Sequence, residues 1–364
     1  MPHTDLTQGH VSMSLARLTA PMMMGVSSTI LVQVLEMGFI GQLSTAHVAA
    51  ITFTFPLTMV LTSIALGISI GTSSVIARSV GQQSKNPSNS DDVQRLGTHS
   101  LILVTGAMSV LAAMCWLTLD RIFLALGAST DMLPLIHSYL DIYLPGSIFF
   151  TASMILGSIM RANGSATAPG VIMTVGSIVH LLLDPILIFG WFGIPAMELS
   201  GAATAMTVTR FAALIVTLIF VFKGKMVLSE DHFRAFFAST KRILHVGIPA
   251  IATNLIGPVT AAYITRLMAN YGETAVAGFG VAGRIEAVAA MLLFALSGSI
   301  GPFVGQNLGA KRIDRVRHGV RASYQFSLIW GFAVALPLFV FGGAISGLID
   351  SSPEVIGIAA LYLA

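Results

Sequence analysis

The chain has 364 residues, of which 55% are hydrophobic and only 10% charged, with a mean hydropathy of +0.84 and a formal charge of +3. An ordinary soluble domain is about 25% charged, and so few charges cannot cover the surface of a water-soluble protein of this size. The composition excludes a soluble enzyme or nucleic-acid-binding domain and predicts an all-α polytopic membrane protein.

A crossing helix needs roughly 20 apolar residues. Taken in chain order, such stretches fall at 15–40, 48–77, 97–118, 137–160, 170–192, 200–222, 246–268, 276–304 and 322–349, and a tenth begins near Pro353. Several exceed the minimum, which implies tilt or extension beyond the lipid. The basic residues alternate between the gaps. Arg17, Arg78, Lys85, Arg95, Arg161, Lys223, Lys225, Arg234, Lys241, Arg242, Lys311, Arg312, Arg315, Arg317 and Arg321 fall on one side, against Arg121 alone on the other. Cytoplasmic loops carry such an excess, so the N-terminus is expected inside, in a plasma (inner) membrane. The pI near 9.2 then needs no nucleic-acid partner. The first ten residues are polar and span 1 has no basic leader, so no cleavable signal is visible. Cys115, the single cysteine, lies in span 3, which excludes an intramolecular disulfide and suggests no metal site.

The chain resembles itself at a shift near 228 residues. "LTAPMMM" around Pro21 parallels "VGIPAIA" around Pro249, "SIGTSSVIARSVGQQ" parallels "SIGPFVGQNLGAK", and "DMLPLIHSYL" resembles "SPEVIGIAALYL". The shift carries span 1 onto span 7, an even number of crossings, so both halves keep one orientation. Two six-helix lobes related by an axis along the membrane normal are expected. The N-terminal lobe is placed at 15–222, a basic linker at 223–245 with Phe233, Phe236 and Phe237, and a partial C-terminal lobe at 246–364. A second lobe of six helices calls for about 80 to 100 further residues, so the sequence reads as a C-terminally truncated chain or a fragment.

Ionisable groups within spans are costly in lipid and usually face a cavity or partner. On span 1, Gly25, Thr29, Gln33 and Glu36 form a small-and-polar stripe; on span 5, Ser177, His180 and Asp184 do the same. Glu36 and Asp184 fall at matching depth and are expected to converge on a cation site, where a desolvated carboxylate pair exchanges H⁺ or is neutralised by Na⁺, and His180 shares the proton or holds a carboxylate. The bland alternative is three satisfied packing groups. Asp141 lies near a span end, where an acid is cheap. Glu286 has Arg284 and Arg266 nearby, so an ion pair and a cation or substrate role are both open. Arg210, mid-span, calls for a counter-ion, with Asp141 or Asp184 available. Met22, Met23 and Met24 are filler or contacts for apolar ligands. Thr54, Thr58 and Thr62 read as helix–helix glue. Pro21 is either a bend or a first-turn proline.

The sequence contains no Walker loop and no set of catalytic residues, so no enzyme is expected and active transport would draw on an ion gradient. The motifs "VLEMGFIGQL", "ARSVGQQ", "RANGSATAP", "HLLLDPILIFG", "GAATA", "HVGIPA", "YGETAVAGFGVAGRIEA" and "VGQNLGAKR" occur in order from span 1 to the end of the chain. Together the chain resembles the multidrug and toxic compound extrusion (MATE) family. That resemblance implies two V-shaped lobes, a monomer, and export of cationic, amphipathic organic compounds in exchange for H⁺ or Na⁺, with no cofactor beyond the coupling ion. It places the family's helix-1 acid, usually Asp, on Glu36 and its helix-5 Asp on Asp184. His180 stands where Asn is usual, one turn before Asp184, and Pro21 becomes a helix-1 bend. Two alternatives stand beside this: a lipid-linked oligosaccharide flippase of related fold, disfavoured by the few arginines (Arg210, Arg266, Arg284), and a non-transporting fragment or scaffold.

Overall fold

The computed structural model describes residues 5–83, 90–227, 235–349 and 352–364. Among these, nine helices are long and apolar enough to cross a membrane: α1 (Val11–Gly41), α2 (Thr45–Gln83), α3 (Ser90–Leu117), α5 (Leu133–Ala162), α6 (Thr167–Phe189), α7 (Glu198–Lys223), α8 (Phe236–Ala269), α9 (Glu273–Gly309) and α10 (Ile313–Ser346). A short α4 (Leu119–Ala125) follows α3, and α11 (Pro353–Leu363) follows α10. All nine expected spans are present. Their helices run further than the apolar stretches, as in α2, which reaches Gln83, and α10, which starts at Ile313. Hydropathy marks only the lipid-facing length, whereas backbone hydrogen bonding continues into polar residues outside it. At 1.5 Å per residue, the 39 residues of α2 extend roughly 58 Å, well beyond a hydrocarbon core of about 30 Å. Lys85, Phe233 and Arg234 lie outside the described residues.

Prolines 21, 56, 145, 185, 249, 258, 302 and 337 all sit inside helices. Membrane helices tolerate this because neighbouring groups re-satisfy the freed carbonyls. Pro21 is ten residues into α1, so it is not a first-turn proline. Gly190 ends α6 with φ 77°, where a side chain would meet the backbone of Ile194 and Ala196.

One lobe packs α1 on α6, α6 on α7, α7 on α5, and α5 on α2 and α3; in the other, α9, α10 and α11 pack together. Between lobes, α2 lies along α8 and α9, and α1 along α9. Under the repeat, α1 corresponds to α8 and α2 to α9. The α2–α8 and α1–α9 contacts are therefore one contact made twice, while α2–α9 straddles the axis.

Single residues obey the same rule. Gly81 backs onto the Gln306 carbonyl, and Gly309, its counterpart 228 residues later, backs onto the carbonyl of Arg78, the counterpart of Gln306. These contacts, with Gly71 against the backbone of Ile243 and Gly247, gather at the end of the bundle that carries the basic loops. A shared cluster of Leu6, Leu15, Leu18, Met22, Ala295 and Phe303 seals that end. Towards the other end, Ile256, Val259 and Tyr263 of α8 are exposed. The close backbone contacts between the lobes thus gather at the end that carries the basic loops.

The polar contacts correct one expectation. Thr54, Thr58 and Thr62 return their hydroxyls to carbonyls of their own helix, at Ile51, Phe55 and Thr58. On α2 it is serines that reach other helices: Ser69 meets Ser158, and Ser63 donates to the Asn254 carbonyl at 3.5 Å.

Candidate cation site

The site begins with two parallel helices in register. The Pro21 backbone crosses Gly170 of α6, and Gly25 meets Met173. One turn on, Thr29 Oγ1 lies 3.3 Å from Ser177 Oγ. Continuing the same register brings Glu36 to His180 and Asp184. The stripe on α1 is Gly25, Thr29, Val32 and Glu36. Gln33 is exposed and does not belong to it, while Val32 is buried at 4% exposure. The spacing i, i+4, i+7, i+11 tracks a 3.6-residue turn more closely than i, i+4, i+8, and that displaces Gln33.

One ligand atom from each of Glu36, His180 and Asp184 lies within 4.8 Å of the others, the single such cluster among the described residues. Asp184 is fully buried, Glu36 is 7% exposed, and His180 is half-buried. His180 Nε2 stands 3.2 Å from Asp184 Oδ1. The pair is at ion-pair distance without hydrogen-bond alignment. Glu36 Oε1, both Asp184 oxygens and His180 Nε2 have no hydrogen-bond partner. A buried polar atom left unsatisfied costs about 1–3 kcal/mol, more when charged. Four such atoms on three neighbouring residues leave charge and hydrogen-bonding capacity unused at this point of the bundle. Pro185 adds to the polarity here, because it offers no N–H to the carbonyl of Leu181 one turn back.

Tyr139 and Tyr143 of α5 line the next wall, stacked at 5.6 Å between ring centroids. Tyr139 is buried and within electrostatic range of Glu36. Neither tyrosine stood out in the sequence, since an aromatic pair at i, i+4 on an apolar helix resembles ordinary core. Arg210 of α7 lies over the Tyr143 ring at 5.2 Å and the Phe150 ring at 4.4 Å. Among the described residues no carboxylate is within ion-pair distance of it, and its Nη1 is buried without a hydrogen-bond partner. Of the two expected counter-ions, Asp141 is engaged elsewhere. It accepts from Trp116 Nε1 at 3.0 Å and contacts His137 Nδ1 at 3.2 Å, at the exposed end of α5. Asp184 stays with His180.

Glu286 joins no cluster. It is exposed, within hydrogen-bonding range of Tyr362 of α11, and forms no ion pair with Arg284 or Arg266. Both arginines are also exposed. Two residues of separation on a helix put Arg284 and Glu286 on different faces, which sequence proximity conceals. Met22 is buried in the seal between lobes, whereas Met23 and Met24 are exposed.

The MatE family model matches this chain twice, over residues 21–186 and 249–364. The two matches start at Pro21 and Pro249, the prolines that open the internal repeat. The chain is 31% identical over 355 residues to the FAD transporter of Shewanella oneidensis, covering 96% of this chain and 76% of that protein. It is 24% identical over 327 residues to the probable multidrug resistance protein NorM of Thermotoga maritima, covering 90% and 69%. The crystal structure of a mutant of the Vibrio cholerae MATE transporter VcmN matches with a TM-score of 0.91 at 29% identity, covering 97% of this chain and 78% of that one. VcmN in its bent form matches with a TM-score of 0.88. The paired matches of one family model, the symmetric lobe contacts and the nine apolar spans have a common explanation: this chain belongs to the MATE family of efflux transporters.

Proposed function

We propose that the protein is a secondary active antiporter, a monomer with its N-terminus in the cytoplasm, that exports amphipathic organic compounds in exchange for H⁺ taken up at Glu36, His180 and Asp184. The observation that carries this reading is the set of four unsatisfied buried atoms on those three residues. Such a set is destabilising when empty and is relieved by a cation. The choice of H⁺ over Na⁺ rests on His180. Hard cations favour oxygen ligands, and an imidazole nitrogen serves them poorly while binding a proton well. With the basic loops in the cytoplasm, the lobes are 15–222 and 246–364, and the segment 223–245 between them includes the first turns of α8 (Phe236–Ala269). Proton binding neutralises the carboxylates, and α1 then repacks about Pro21, where the missing N–H has already weakened the helix. Repacking lowers the affinity for the exported compound. Exchange follows because proton and substrate favour different states; a ligand that binds both equally shifts nothing.

Two substrate classes follow. Organic cations suit a site rich in carboxylates. The 31% identity to the Shewanella FAD transporter supports a second substrate, an anionic flavin dinucleotide. Purified protein in lipid vesicles, loaded with ethidium or with FAD, tests both under an imposed pH gradient and an imposed Na⁺ gradient. Flux driven by pH alone is the expected result. Flux that follows Na⁺ and ignores pH would overturn the proton assignment.

A further inference from the structure

Arg210 is the charged group described at the site that the exchange just described leaves unused. A guanidinium keeps its charge at any physiological pH, and in the middle of a membrane helix that charge is costly unless balanced. The rings of Tyr143 and Phe150 offer it their faces, at 5.2 and 4.4 Å, yet Nη1 is left buried and unpartnered. Aromatic faces soften a charge and do not cancel it. What remains must be balanced by net negative charge nearby, and the structure supplies a connected path to it. Arg210 stacks on Tyr143, Tyr143 on Tyr139, and Tyr139 lies within electrostatic range of Glu36. The groups that surround the site are Glu36 from α1, Tyr139 and Tyr143 from α5, His180 and Asp184 from α6, and Arg210 from α7. Glu36 lies within electrostatic range of Asp184, His180 and Arg210.

We propose that Arg210 is the standing counter-charge of the Glu36–Asp184 pair and thereby sets the exchange at one proton per cycle. The inference rests on the antiport reading above and adds a count to it. With both carboxylates ionised, His180 neutral and Arg210 charged, the site carries one net negative charge, and one proton neutralises it. That proton can sit on Glu36, Asp184 or His180 without changing the count, since coupled groups titrate as a unit. Without the guanidinium, the same site carries two negative charges and takes two protons. Arg210 is a positioning residue in this account: it acts on the carboxylates through charge and touches no transported ion.

The test is a thermodynamic null measurement in vesicles holding the purified chain, with the membrane potential clamped at zero by valinomycin and equal K⁺. The probe is ethidium, or FAD where ethidium does not move. Against a tenfold gradient of probe, the pH difference at which net flux vanishes is about one unit for one proton and about half a unit for two. The wild type should null at about one unit, Arg210→Lys at the same value, and Arg210→Gln at about half a unit. If Arg210→Gln is folded but does not transport, protons released per bound probe in weak buffer, from detergent-solubilised protein, give the same count: one for wild type and two for the variant. A wild-type null at half a unit, or a count unchanged in Arg210→Gln, overturns the role of Arg210 while leaving antiport intact. Wild-type vesicles that move neither probe under a pH gradient overturn both.

Discussion

Ala77 and Gly305 meet across the lobe boundary, and they are the same position of the internal repeat, so their contact lies on the axis that relates the two lobes. A Cβ added at Gly305 would come within 2.6 Å of the Ala77 Cβ. No rotamer relieves that, because the collision is between first side-chain carbons on two helices. Gly301, one turn earlier, has nothing within 4 Å of its would-be Cβ.

Gly305→Val should therefore wedge the sealed end apart and destabilise the protein by about 1–3 kcal/mol, as overpacking does in well-packed cores. Thermal unfolding in detergent, compared with Gly301→Val, measures it. Equal melting temperatures for the two variants would remove the axis contact from the forces holding the lobes together.

Glu36→Gln and Asp184→Asn should each reduce pH-driven efflux to the level of vesicles without protein, with insertion unaffected. The amides keep shape and hydrogen-bonding capacity but can neither take up nor release a proton. Each side chain is buried among unsatisfied partners, so an amide costs less there than an unpaired charge and the fold should hold. The check is efflux at matched protein content, with size-exclusion profiles as the folding control. Wild-type rates in either variant would remove that residue from coupling.

His180→Asn should keep transport but move its pH profile. The substitution retains a polar side chain one turn before Asp184, while removing the imidazole nitrogen that stands 3.2 Å from Oδ1. Initial rates measured across the pH range in which histidine titrates decide the matter. A superimposable profile would make His180 a packing residue.

Arg315→Ala should loosen the N-terminal segment from the sealed end. The guanidinium donates to the carbonyls of Leu6 at 3.2 Å, Gln8 at 3.0 Å and Gly9 at 2.6 Å. Asn307 holds the Leu6 carbonyl as well, and Gln306 accepts from the Leu6 N–H at 3.2 Å while donating to the Ala162 carbonyl at 2.7 Å. Hydrogen bonds from a charged group contribute about 1.5–3 kcal/mol, so their loss should expose Thr7, which is 4% accessible. In a Cys115→Ser background, Thr7→Cys should label faster when Arg315 is replaced. Unchanged labelling would show that Asn307 and Gln306 suffice.

The amino-acid sequence by itself determined the class, the nine spans and the repeat, because each depends on local or additive properties. A run of apolar residues partitions into lipid whatever its neighbours do, and a proline, glycine and polar pattern repeated after 228 residues is visible without coordinates. Glu36, His180 and Asp184 were legible for the same reason: ionisable residues in lipid are costly wherever they are met. Contacts between helices were not legible, because they depend on register and rotation that hydropathy leaves open. Only the tertiary structure replaced Gln33 by Val32 on the buried face of α1, separated Glu286 from both arginines, and sent the span-2 threonines back to their own helix. Only it set Arg210 over Tyr143 and Phe150, and brought α1 and α6 into parallel register so that Glu36 and the His180–Asp184 pair, far apart in the chain, share one unsatisfied site. The physical reason is common to all of these. A membrane helix commits to its length by its own composition, but to its facing by close packing against partners, and that choice belongs to the assembled bundle.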